Sequence, residues 1–156
     1  MNEEERLIGV VEFLKLIADD PEVPDKYRTQ ASDLVVHPNA NPFAPPIRLA
    51  ASNNKVLGHA NFGVAFEGSP GNVHGGFVAA AFDQVLWMAQ SLTGIPAMTA
   101  TLTIRYRNPT PLRTELVFEG LVERVEGRKI FTRGTVSANG VVTAEAEGLF
   151  VSVGHV

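Results

Sequence analysis

Apolar positions along this chain follow two different periods. Between residues 3 and 18 they recur every three to four positions, with Leu7, Val10, Val11, Leu14 and Ile17 on one stripe, which predicts an amphipathic helix. Pro21 and Pro24 break it, and the four prolines from Pro38 to Pro46 predict an ordered loop. Strands are expected at about 46–51 and 55–66. From residue 74 to about 92 the chain is almost wholly apolar, which predicts a helix buried on every side, with Gly94 as its stop and Pro96 just beyond.

After residue 98 the pattern turns to alternation, with Leu102, Ile104 and Tyr106 on one face and Thr101, Thr103 and Arg105 on the other. Further strands are expected at about 113–125, 128–138 and 141–153. Asn139-Gly140 is a strong two-residue hairpin signal between the last two, and Glu126-Gly127 has a similar role in the preceding hairpin. One face of each strand is polar, as in a sheet with one side in water. The expected fold is α+β: a long antiparallel sheet wrapped around one central helix. Residues 1–45 form an N-terminal helix and proline-rich loop, and residues 46–156 form the main domain.

Composition narrows the chemistry. A length of 156 residues fits one domain with a sizeable core. The chain has no cysteine, which excludes disulfides, thiolate metal sites and a thiol nucleophile. His37, His59, His74 and His155 lack metal-ligand spacing, so no metal is expected. A net charge of −4 gives no electrostatic reason to bind nucleic acid or an anionic membrane. No apolar run reaches membrane-spanning length. The acidic start, Met1-Asn2-Glu3-Glu4-Glu5-Arg6, lacks the basic opening of a signal peptide, and a cytoplasmic location is the expectation.

Chemistry concentrates where the glycine-rich turn Gly68-Ser69-Pro70-Gly71-Asn72-Val73-His74-Gly75-Gly76 feeds the apolar helix. That helix carries one acid, Asp83, flanked by Ala79, Ala80, Leu86 and Trp87, and no lysine or arginine to pair with it. A carboxylate in such a setting is costly unless it is paired or used. It is therefore either a structural acid bonded to a strand or partner chain, or a general base. Gly75 and Gly76 leave bare N–H groups at the positive end of the helix, suited to a developing oxyanion. His74 either orients the turn or takes part in chemistry, and Asn72 either caps the helix or meets substrate. Gly75 and Asp83 stand eight residues apart, roughly 12 Å along a helix. One helix can therefore hardly serve a single carbonyl with both groups. Two antiparallel copies can, so if both act, the site lies on a two-fold interface.

The run from Glu67 to Asp83, with Met98 to Leu112 after it, resembles the hotdog-fold acyl-CoA thioesterases, and within them the phenylacetate-pathway (PaaI-like) branch that includes the mammalian thioesterase-superfamily members. The resemblance rests on His74-Gly75-Gly76 opening the central helix and an acid nine residues after the histidine, Asp83. Thr99 opens the next strand, and Tyr106, Arg107 and Pro109 form an aromatic-basic-x-Pro pattern. It covers about residues 46–153. It implies a site shared between subunits of a homodimer or a dimer-of-dimers tetramer. There Asp83 acts as general base or nucleophile on an acyl-CoA thioester, the Gly75 N–H polarises the carbonyl, and Thr99 holds the water or the acid. His74 is expected at the site, with Asn72, Gly76 and Arg107 as the candidate substrate contacts, and no cofactor is expected.

One departure stands out. Many relatives place Asn or Gln six residues before the histidine, where this chain has Gly68. That departure favours an alternative, a non-catalytic acyl-CoA or fatty-acyl binding protein on the same fold. An acyl-CoA hydratase ranks low because its Asp and His loop motif is absent. A serine hydrolase at Ser69 ranks low because Gly-Ser-Pro-Gly is not a nucleophile elbow.

Overall fold

A computed structural model describes residues 45–52 and 55–153. The expected N-terminal helix, and the boundary drawn at residue 45, rest on residues 1–44, which lie outside the described residues. The elements are β1 (Ile47–Ser52), β2 (Lys55–Ala60), α1 (Gly75–Ser91), β3 (Ala97–Tyr106), β4 (Leu116–Glu126), β5 (Lys129–Ala138) and β6 (Val141–Ser152). The strands form one sheet in the order β1-β2-β4-β5-β6-β3, antiparallel at every pairing. This is the hotdog-like α+β arrangement, a six-stranded antiparallel sheet packed on one central helix.

Local sequence accounts for most boundaries. Asn139 (φ 51°) and Gly140 (φ 78°) both turn left-handed, as a two-residue hairpin between β5 and β6 requires. The β4–β5 turn is shifted by one residue from expectation: Glu126 still pairs with Lys129, and Gly127 (φ 57°) begins the turn. The second strand is shorter than expected. It ends at Ala60, and Val64–Phe66 form a 3₁₀ turn instead. Phe66 there packs edge-on between Phe62 and Phe77, with ring centroids 5.2 and 4.8 Å away. Those aromatic contacts hold the segment off the sheet.

The helix lies in a trough built from missing side chains. Gly120 of β4 stands opposite Gly134 of β5, which stands opposite Ala146 of β6. A Cβ on Gly120 would come within 2.7 Å of Val85 Cγ1, and one on Gly148 within 3.1 Å of Leu86 Cδ1. The sheet is bare where Val85 and Leu86 descend on it, so the helix backbone approaches closely and its rotation is fixed. Val78, Ala81, Phe82, Val85, Leu86, Met88 and Ala89 are buried in that interface.

One expectation needs correction. The helix is not buried on every side: a stripe of Gly76, Ala79, Ala80, Asp83 and Trp87 is exposed or half-buried. These residues recur at the spacing of one helix face, opposite the trough. In addition, β3 pairs with β6 rather than with its neighbour in sequence, β4. It thereby becomes a sheet edge, with Met98 and Tyr106 exposed along it.

Candidate active site

The glycine-rich segment before α1 is a stitched loop. Gly68 N–H donates to Asn72 O (2.9 Å), Asn72 N–H to Ser69 O (2.9 Å) and His74 N–H to Phe66 O (2.8 Å). Val73 N–H reaches across to Thr110 O (2.8 Å), and Leu112 N–H returns to Gly71 O (3.0 Å). The Glu67 carboxylate accepts from Gly71 N–H at 3.0 Å. The helix start is therefore held from two sides. Gly68 belongs to this packing: a Cβ there would lie 2.8 Å from His74 Cα. The backbone leaves no room for an amide side chain at that position.

His74 is the N-cap, with Nδ1 accepting from Gly76 N–H at 2.9 Å. Accepting there puts the ring proton on Nε2. Asn72, for which capping was the favoured role, does not cap the helix. Its amide instead donates to Ser69 Oγ and Pro70 O (3.2 Å each) and closes the loop. With Gly76 N–H given to the cap, Gly75 N–H is left without a partner among the described residues, as first-turn helix amides are. Tyr106 OH donates to Gly75 O at 2.5 Å.

Asp83 lies two helical turns on, half-buried. Thr99 Oγ1 donates to its Oδ1 at 2.8 Å. Strict alternation would put Thr99 on the outer face with Thr101 and Thr103, away from the helix. The structure solves this with a β-bulge: Thr99 pairs with Phe150 and Thr101 with Leu149, so Ala100 is the extra residue. The bulge swaps the face of everything before it and brings the Thr99 hydroxyl to the acid.

Gly75, Ser69, Asn72, Tyr106, Arg107 and Asn108 line a cavity of about 290 Å³ at the helix mouth. Arg107 is engaged there: Nε and Nη2 both donate to Glu145 Oε2, at 3.2 and 3.0 Å. His74, Gly75 and Gly76 thus form one cluster at the helix start, and Asp83 with Thr99 forms another. Within one chain the two are not brought together. Tyr106 was not among the expected site residues, although its place in the aromatic-basic-x-Pro pattern was the signal for it.

Comparisons with known proteins identify the family and the fold. Residues 70–145 match the description Thioesterase superfamily. Acyl-coenzyme A thioesterase THEM4 of Xenopus laevis is 34% identical over 93 residues, 58% of this chain but 42% of that protein. The chain therefore spans less than half the length of this curated relative. A crystal structure of a thioesterase superfamily protein aligns at 36% identity with TM-score 0.70, covering 95% of this chain and 80% of that one. A Streptococcus mutans UA159 structure bound to acetyl CoA shares the fold at 18% identity and TM-score 0.67, covering 74% of this chain and 94% of that one. PaaI proteins from Thermus thermophilus and E. coli share it at 19% identity or less. With a relative of this identity matched over four-fifths of its length, the chain belongs to the thioesterase superfamily.

Proposed function

We propose that the protein hydrolyses acyl-coenzyme A thioesters. The observation that carries the reading is the Thr99–Asp83 hydrogen bond on the open face of α1, the same helix whose first amide, Gly75 N–H, is without a partner among the described residues. The similarity to acyl-coenzyme A thioesterase THEM4 supports the substrate class.

Thr99 donates to Oδ1 and leaves Oδ2 to accept from a water. The water oxygen attacks the thioester carbonyl carbon and its proton passes to Asp83. Gly75 N–H donates to the oxyanion of the tetrahedral intermediate, at the positive end of the helix. The intermediate collapses, the C–S bond breaks, and the coenzyme A sulfur leaves with the proton that Asp83 returns. Free acid and coenzyme A are the products.

Gly75 and Asp83 of one chain stand roughly 12 Å apart, so the two groups on one carbonyl come from two subunits. The open β3 edge and the half-buried stripe of α1 are the surfaces that suit such a two-fold contact. A homodimer, or a tetramer of two such dimers, follows. Asn72, Gly76 and Arg107 flank the entry for substrate, Arg107 through whatever donor capacity Glu145 leaves it. Placement in the PaaI-like branch belongs to the same reading.

The lack of space for an amide at Gly68 favours one second reading, a non-catalytic acyl-CoA binder. Release of free coenzyme A from acetyl-, octanoyl-, palmitoyl- and phenylacetyl-CoA separates the two. Turnover that vanishes in Asp83→Asn supports the hydrolase. Saturable binding with no release by the folded wild type refutes it.

A further inference from the structure

We infer that Tyr106 is a positioning residue for the carbonyl-polarising amide of Gly75, an inference that rests on the hydrolase reading above. Gly75 has the widest backbone freedom of any residue type, at the one place where an amide must hold its aim. The Gly75 N–H shares one peptide plane with His74 O, which accepts from Phe77 N–H (2.9 Å) and Val78 N–H (3.3 Å), and the plane that follows carries the Gly76 N–H taken by the His74 ring. The Gly75 α-carbon between the two planes has no side chain to restrain it.

Tyr106 supplies that restraint from another strand. Its ring crowds the point that a Cβ on Gly75 would take, with Cζ and the hydroxyl oxygen each 3.2 Å away. Its hydroxyl pins the Gly75 carbonyl at 2.5 Å. The bond holds the peptide plane that follows the Gly75 α-carbon, and the ring abuts the α-carbon itself. The tyrosine is itself anchored: Arg107 N–H and Asn108 N–H both donate to Thr143 O (2.8 and 3.0 Å), and the Asn108 amide donates to Val142 O (2.9 Å). Strand β3 thus carries a support for each cluster, with Thr99 bonded to the acid at one end and Tyr106 to the Gly75 carbonyl at the other.

A donor that drifts loses transition-state stabilisation while leaving ground-state binding nearly intact, so the loss appears in kcat and not in KM. Deleting an oxyanion donor costs roughly 10²–10³ in rate, and loosening one costs about tenfold.

The test uses the full chain, Tyr106→Phe and Tyr106→Leu, with acetyl-, octanoyl-, palmitoyl- and phenylacetyl-CoA as probes and the Gly75 amide followed by ¹⁵N relaxation. The expected result is a kcat lower by about tenfold in Tyr106→Phe, with KM within about twofold, a further loss in Tyr106→Leu, and a more mobile Gly75 amide in both. An unchanged kcat in Tyr106→Phe beside an active wild type overturns the role alone, as does a change confined to KM. A folded wild type with no turnover overturns the hydrolase reading and this role with it.

Discussion

Thr99 reaches Asp83 with a 2.8 Å hydrogen bond only because Ala100 bulges out of the strand between Thr99 and Thr101. The hydroxyl and the bulge make one device: the bulge re-aims the side chain, and the side chain leaves half the carboxylate for water. Thr99→Val keeps the shape and removes the donor. Its kcat is expected to fall about tenfold, the scale of one hydrogen bond to a charged group, with Thr99→Ser restoring most of it. Thr99 is exposed, so the unfolding midpoint should move little. Steady-state kinetics beside urea unfolding checks both, and equal turnover in Thr99→Val would sink the pairing as a functional contact.

The His74 ring holds the helix start by accepting from Gly76 N–H. His74→Ala is expected to lower stability by about 1 kcal/mol, the usual worth of an N-cap, whereas His74→Asn retains a cap and loses less. Chemical unfolding of both variants gives the comparison. An equal loss in both would mean that ring packing near Phe77, at 6.0 Å between centroids, outweighs the cap.

The trough beneath α1 tolerates no added carbon. A Cβ on Gly134 would lie 2.6 Å from Glu119 O, a backbone atom with no freedom to swing aside. Gly134→Ala is expected to cost about 1–3 kcal/mol by overpacking, read from the unfolding midpoint. Gly63→Ala meets nothing within 4 Å and serves as the control. A Gly134→Ala protein as stable as the control would refute the tight packing of this position against Glu119 O of β4 and against Leu86 and Phe82 of the helix.

These cases mark how much the sequence disclosed. The helix, its Gly94 stop, the alternating strands and the Asn139-Gly140 hairpin are local, and period and turn chemistry reveal them. The glycine trough joins residues from three strands, so it appears only when the sheet is assembled. The bulge at Ala100 left no local mark, and plain alternation would have turned Thr99 away from the acid. The family resemblance had the Thr99 hydroxyl holding the water or the acid, and in the structure it donates to the acid. Asn72 has the composition of a cap, yet the backbone placed His74 at that position and used Asn72 to close the loop. The helix was expected to be buried all round because its sequence is apolar all round, and the chain leaves one stripe open.

Burial pushes the Tyr106 phenol above its ordinary value near 10. The folded state therefore holds this proton more tightly than the unfolded state. The associated stability is fully present below about pH 10 and is lost as pH rises through the raised folded value. Wild type should lose stability relative to Tyr106→Phe as pH rises above about 10, with the gap constant at lower pH. Urea midpoints across that range test the sign, and a gap that widens in favour of wild type would reverse it.

The sharpest prediction concerns which subunit supplies which group. Gly75 is the first residue of α1, and His74 before it is extended (φ −58°, ψ 132°), the two conditions under which proline is accepted. Gly75→Pro thus removes the amide hydrogen and keeps the helix, at the expense of pushing on the Tyr106 ring. Alone it should lower kcat by roughly 10²-fold or more, and Asp83→Asn alone should also be nearly inactive. Unfolded and refolded together in equal amounts, the two variants form mixed dimers. In each mixed dimer one site combines Gly75 of one chain with Asp83 of the other, both intact. Recovery to about a quarter of wild-type activity is expected, since half the dimers are mixed and half of their sites are whole. If each site were built within one chain, every site in the mixture would carry a lesion and nothing would return. Activity of the refolded mixture against each variant refolded alone therefore decides whether the distance along one helix is bridged by a second copy.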